Sequence, residues 1–128
     1  MRVNLLLSFI LLIAASLRLL GLGSYPAGFT PDEASFGYDA YSILTTGRDQ
    51  WGESFPFSFR SFGDFKAPLY TYLAIPSVAI FGLNEFAVRL PNAILGTLTV
   101  LVVYFLVLEL FSKSKHQSLI TNHQSLAL

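Results

Sequence analysis

The chain has 128 residues, 53% of them hydrophobic and only 12% charged, against about 25% charged in ordinary soluble domains. Eight basic and eight acidic residues cancel, so no cationic field points to nucleic acid. With no cysteine, disulfides, thiolate metal sites and a cysteine nucleophile are excluded. Charge collects between Asp32 and Lys66 and again from Glu109 onward, leaving long apolar runs elsewhere. That patterning predicts an all-α membrane protein with about three transmembrane helices.

The first apolar run, residues 3–22, would reach about 30 Å as a helix, one hydrocarbon core. Arg18 stands near its far end, where a long stem can carry the guanidinium to the interface. A cleaved leader is the competing reading, with Arg2 as its basic start and Gly21 and Gly23 near a cleavage point. The run is longer than the core of an ordinary leader, and further apolar segments follow it.

A loop over residues 23–66 comes next. Thr30-Pro31-Asp32-Glu33 has the form of a capping box, with proline at the first helical position and acids at the positive end of the helix dipole. It predicts a juxtamembrane helix from Pro31 to about Thr46, ended by Gly47. Ala34, Tyr38, Tyr41 and Thr45 line one face; Phe36, Ala40, Ile43 and Leu44 cover much of the rest. A helix so apolar belongs in the membrane interface or under protein cover. Capping accounts for Asp32 and Glu33 in structural terms. A cap needs one carboxylate, however, and here two stand at the membrane boundary, where a lipid phosphate and its sugar would be presented.

Phe55, Phe57 and Phe59 alternate as in a short extended segment, and Trp51, Phe62 and Phe65 extend an interfacial aromatic belt. Lys66 stands at the mouth of the second run, residues 67–83. It either marks the end of a span or holds a lipid phosphate as a point charge. Pro68 suits a first helical turn, Gly82 and Asn84 suit the end, and Pro76 is tolerated where neighbours satisfy the freed carbonyl. Residues 84–89 are read as a tight hairpin with Glu85 and Arg89 paired across one turn. The third run covers 90–108. Beyond residue 111 lies a polar tail in which "HQSL" occurs twice; its His116 and His123 suggest no metal site.

Basic residues orient the chain. Arg2 and Arg89 fall inside if the N-terminus is cytoplasmic, which makes the 23–66 loop, with six acids and three bases, extracytoplasmic. Lys113 and Lys115 then lie outside and oppose that arrangement.

Taken in order, "PDEASFGYDAYSILTTG", "DFKAPLY" and "FGLNEFAVRLPNA" after an arginine-ended span resemble the start of the membrane glycosyltransferases that use polyprenyl-phosphate sugars. These are the GT-C fold enzymes, including protein O-mannosyltransferases and the aminoarabinose transferases acting on lipid A. The resemblance covers about residues 5–111 and implies a partial GT-C fold, multi-pass in the plasma (inner) membrane, with its site at the outer face. The family's acidic pair matches Asp32 and Glu33, the first acid acting as general base on the acceptor hydroxyl. Its lysine before "PPL" matches Lys66 in "KAPL", with Ala67 in place of the first proline, and is associated with the donor phosphate. The implied reaction is inverting transfer of a sugar from a polyprenyl-phosphate donor to an acceptor hydroxyl. No cofactor is assigned with certainty; a divalent metal is left open, with no ligands named.

Family members run to several hundred residues, and three spans cannot enclose donor and acceptor together. Residues 1–111 are therefore read as the N-terminal portion of such an enzyme, inactive alone, with the remaining helices as a separate partner chain. Residues 112–128 are read as a disordered or foreign tail from a truncated frame. The alternative is a small non-catalytic membrane protein, an assembly partner that keeps the first helices of the fold.

Overall fold

The computed structural model describes residues 2–125, with side chains described over residues 5–111. Four helices and one hairpin follow in order: α1 (Arg2–Leu19), α2 (Pro31–Thr46), β1 (Phe59–Ser61), β2 (Asp64–Lys66), α3 (Pro68–Phe81) and α4 (Glu85–Ser125). Among the described residues one helix is long and apolar enough to cross a membrane: α4 over Glu85–Phe111, with mean hydropathy 2.4. The apolar part of α1, Leu5–Leu19, and α3 are shorter; at 1.5 Å per residue each falls short of a hydrocarbon core of about 30 Å. One helix of spanning length is thus found where about three are expected.

α2 forms where the capping box predicts it. Thr30, in an extended conformation, accepts from the Glu33 amide, and Glu33 Oε2 accepts from the Thr30 amide at 3.0 Å. Gly47 closes the helix with φ 73°, a left-handed position that glycine adopts without steric cost.

α2, α3 and α4 meet along a seam of small side chains: Ala40, Ala74, Val78, Ala87 and Val88, flanked by Ile75. Small residues let helix backbones approach closely, as in membrane bundles. The closest approach is at Gly37, where a Cβ would stand 2.6 Å from Val88 Cγ2 and 3.0 Å from Leu83 Cδ1. α1 packs on α4, with Ala14 buried and the Arg18 side chain lying against Gly96. Most large apolar side chains on α1 and α4 instead point outward, Leu17, Val102 and Phe105 among them. Such surfaces suit lipid or further helices.

Between α3 and α4 the structure corrects the predicted hairpin. Residues 85–89 already belong to α4, so the connection is only Gly82 to Asn84. Asn84 serves both helix ends: its side-chain nitrogen donates to the Phe81 carbonyl at 2.7 Å, and its oxygen accepts from the Ala87 amide at 2.9 Å. Pro91 consequently lies inside the helix rather than at its start. It has no N–H to offer the carbonyl of Ala87, four residues earlier. The Ser77 hydroxyl of α3 donates to that carbonyl at 2.6 Å, and the Tyr70 hydroxyl donates to the next one, Val88, at 2.7 Å. The proline in one helix is therefore met by hydroxyls from its neighbour.

The expected extended run over Phe55 to Phe59 is also corrected. Only Phe59 belongs to a strand. It is fully buried, edge-on to Tyr72 at 5.6 Å, whereas Phe57 is 94% exposed. The hairpin pairs Phe59 with Lys66, Arg60 with Phe65 and Ser61 with Asp64. Its central residues, Phe62 (φ 41°) and Gly63 (φ 85°), both have positive φ, the pattern of a type I′ turn that matches the right-handed twist of the strands.

Candidate active site

Adjacent residues on a helix point about 100° apart, and at the start of α2 this sends Asp32 and Glu33 to different partners. Glu33 turns toward α4. Arg89 donates to it through Nε at 2.7 Å and Nη2 at 3.0 Å. The remaining Arg89 donors go to backbone carbonyls of the segment before α2: Nη1 to Leu22 and Pro26, both at 3.0 Å, and Nη2 to Gly28 at 2.7 Å. All five guanidinium N–H groups are thereby used, and the residue is buried. A forked, charge-assisted pair of this kind is stronger than a neutral hydrogen bond and fixes geometry.

The expected Glu85–Arg89 surface pair is not what forms; Arg89 reaches across to Glu33 instead. The bonds from Arg89, aided by those from Thr30, overcome burial and hold the Glu33 pKa at about 2. Glu33 therefore stays ionised with both oxygens engaged, which suits it to positioning α2 rather than to taking a proton.

Asp32 turns the other way. Its Oδ1 lies 3.0 Å from Lys66 Nζ, and its side chain is 63% exposed. Lys66 closes β2, so the hairpin carries it back to the α2 N-terminus. Asp64, on the same strand, also takes the ammonium at 3.3 Å. Asp32 and Asp64 raise the Lys66 pKa and keep it cationic. The Phe65 amide first, and Lys66 next, lower that of Asp64. Asp32 and Lys66, singled out separately in the sequence, are thus brought into contact. Among the described residues no three His, Cys, Asp or Glu side chains gather as a metal site.

A third carboxylate on α2, Asp39, was not among the predicted site residues. It is fully buried and accepts from the Gln50 amide at 3.1 Å and from Gln50 Nε2 at 3.2 Å. Burial raises its pKa in spite of those bonds. It pins the loop after α2, in which Asp49 accepts from the Trp51 and Glu53 amides. An acid on the inner face of a mostly apolar helix was the signal available for it.

Residues 65–121 match the family model described as dolichyl-phosphate-mannose-protein mannosyltransferase. The match begins just before Lys66, covers α3, and runs along α4 past Phe111; it leaves Asp32, Glu33 and all of α2 outside. It supports a mannosyltransferase-like, membrane-embedded glycosyltransferase of the GT-C type, over less than half of the chain. No curated protein and no solved structure matches.

Proposed function

We propose that the chain forms the catalytic corner of a glycosyltransferase that moves a sugar from a polyprenyl-phosphate donor to an acceptor hydroxyl at the outer membrane face. The observation that carries this reading is the 3.0 Å contact between Asp32 and Lys66. It sets a carboxylate and an ammonium together at the mouth of α3, where a lipid phosphate would arrive.

In this reading Lys66 receives the donor phosphate. An ammonium has three donors, and the two carboxylates take two of them. The incoming phosphate competes with Asp32 for the ammonium and releases it as a base. The acceptor oxygen then attacks the anomeric carbon while the bond from that carbon to the phosphate oxygen breaks. Asp32 takes the hydroxyl proton, Lys66 stabilises the charge on the departing polyprenyl phosphate, and the anomeric centre inverts. Glu33, tied to Arg89, fixes the helix that presents Asp32.

The test uses membranes carrying the chain with its partner helices, and a polyprenyl-phosphate donor with a labelled sugar. Asp32→Asn is expected to lower transfer by at least about a hundredfold, the lower range for a lost general base, with membrane insertion intact. Lys66→Gln should lower transfer too, with the fold and membrane insertion intact, since exposed ion pairs contribute little to stability. Undiminished transfer by Asp32→Asn refutes the assignment.

A further inference from the structure

α1 and α4 run antiparallel, side by side. Arg18 lies against Gly96, and the Leu22 carbonyl, just past α1, accepts from Arg89 at 3.0 Å. One step farther along, a Cβ on Gly23 would stand 3.3 Å from Phe86 Cβ. The α4 turn from Phe86 to Arg89 is therefore level with the end of α1. Both ends of α3 are tied to that one turn. At its start, Lys66 meets Asp32, whose neighbour Glu33 is bonded to Arg89, and the Tyr70 hydroxyl donates to the Val88 carbonyl. Midway, the Ser77 hydroxyl donates to the Ala87 carbonyl. At its end, Phe81 packs edge-on against Phe86, with ring centroids 5.1 Å apart. α3 is about 21 Å long, whereas Phe86 to Arg89 is about 4.5 Å of the α4 axis. A helix crossing the membrane beside α4 would carry its two ends to opposite faces. α3 instead lies across α4. α2 lies with it, parallel and in register: Asp32 beside Lys66, Phe36 edge-on to Tyr70 at 5.0 Å, and Ala40 in one cluster with Ala74.

The exposed side of α3 carries its large apolar residues. Leu69, Leu73, Pro76 and Ile80 share one helical face and are exposed, Leu69 to 68% and Ile80 to 73%. Thr71, Ala74, Ser77 and Val78, on the other side, are buried. That is the reverse of a helix facing water and matches one facing lipid, with small and polar residues kept for helix contacts. The exposed face borders an apolar groove of about 300 Å³ whose other wall is Leu90, Ile94 and Leu95 of α4. Those residues follow Arg89 along α4, toward the part of it that runs beside α1, so the face looks onto the bilayer.

We propose that α3 rests in the extracytoplasmic interface of the bilayer without crossing it, with Leu69, Leu73 and Ile80 on the acyl chains of the outer leaflet. α1 and α4 alone then cross, and residues 20–84 all lie outside. α1 has 18 residues, within the range of about 17–25 that spans a bilayer. Arg2, Lys113 and Lys115 fall together on the cytoplasmic side, which removes the conflict that a three-span arrangement creates. Arg89 passes to the outer side, its charge answered by Glu33. No donor or acceptor enters this placement, which stands or falls apart from the glycosyltransferase reading.

The chain has no cysteine and one tryptophan, so single replacements give clean probes. In intact cells expressing the full chain, a membrane-impermeant maleimide should label both Phe57→Cys and Glu85→Cys, and should label Ser114→Cys only after permeabilisation. Three spans would put Glu85 on the side opposite Phe57, so labelling of Glu85→Cys only after permeabilisation overturns the proposal. Depth is read in proteoliposomes from Leu69→Trp, Leu73→Trp and Ile80→Trp, each in the Trp51→Phe background. Lipids brominated near the headgroup should quench all three emissions to a similar extent, and lipids brominated near the chain ends should quench all three less. A crossing helix would place Leu73 near the bilayer centre, where the chain-end bromines quench most. That result, or no quenching at any of the three positions because water or a further protein helix covers the face, overturns the proposal.

Discussion

Arg89 grips Glu33 at two points, Nε to Oε1 at 2.7 Å and Nη2 to Oε2 at 3.0 Å, across 56 positions of sequence. Two neighbouring carboxylates are thereby divided between tasks. Glu33 is committed to holding α2 and the preceding loop against α4, and Asp32 is left at the surface beside Lys66.

Removing either end of that grip should be costly. Arg89→Ala leaves a carboxylate and three carbonyls without their donor, and breaking a buried pair costs about 3–5 kcal/mol. Arg89→Lys should recover little of this, because one ammonium cannot reproduce a five-donor fork. Thermal unfolding in micelles, followed by circular dichroism, measures both.

Acid should weaken the fold through the same residue. The Glu33 pKa is about 2 in the folded chain, below its ordinary 4.5. The unfolded chain therefore binds the proton more readily. The contribution is complete above pH 4.5 and is lost as pH falls toward 2. Unfolding midpoints measured across that window should decline in the wild type, and Glu33→Gln should remove most of the slope while lowering stability at neutral pH.

Gly37→Ala should cost about 1–3 kcal/mol, as overpacking does, since its Cβ would meet Val88 Cγ2 at 2.6 Å. Val88→Ala makes the room. The double variant should therefore be more stable than the sum of the single losses, and a double-mutant cycle reads that coupling directly.

Ser77→Ala should cost about 1–3 kcal/mol, the range for a buried acceptor left unpaired, because the Ala87 carbonyl has no amide at Pro91 to replace the hydroxyl. Pro91→Ala restores a backbone N–H within the helix. In that background the Ser77→Ala penalty should shrink, again measured by midpoint shifts in a double-mutant cycle.

Local signals in the sequence located what local chemistry decides. Thr30, Pro31 and Glu33 specify the start of α2 within four residues, and Gly47 specifies its end, so both were readable. Asp32 and Lys66 were each singled out, but their contact was not readable, because it depends on a hairpin whose turn puts a phenylalanine at positive φ. Phe62 is a poor turn residue by intrinsic preference, and the run of alternating phenylalanines before it invited the wrong strand. Arg89 was misassigned for a related reason. Glu85, four residues away, is the partner that helical spacing favours, whereas the true partner is set by the packing of α2 on α4. The third apolar run was read from residue 90, yet the cap at Asn84 starts the helix about one turn earlier. The first apolar run overstated its helix, since α1 stops at Leu19 although hydrophobic residues continue beyond it, whereas the third run understated α4.

The clasp around Arg89 also bears on how the chain is made. Leu22, Pro26, Gly28 and Glu33 all leave the ribosome well before the guanidinium that gathers them. Until α4 has been synthesised and docked, the α2 N-terminus is held by its own cap and the Asp32–Lys66 contact, and the segment before it has no guanidinium to gather its carbonyls. The seating of residues 22–28 against α4 is thus a late product of biogenesis. A fault in placing α4 would loosen the loop before α2 without touching a residue there.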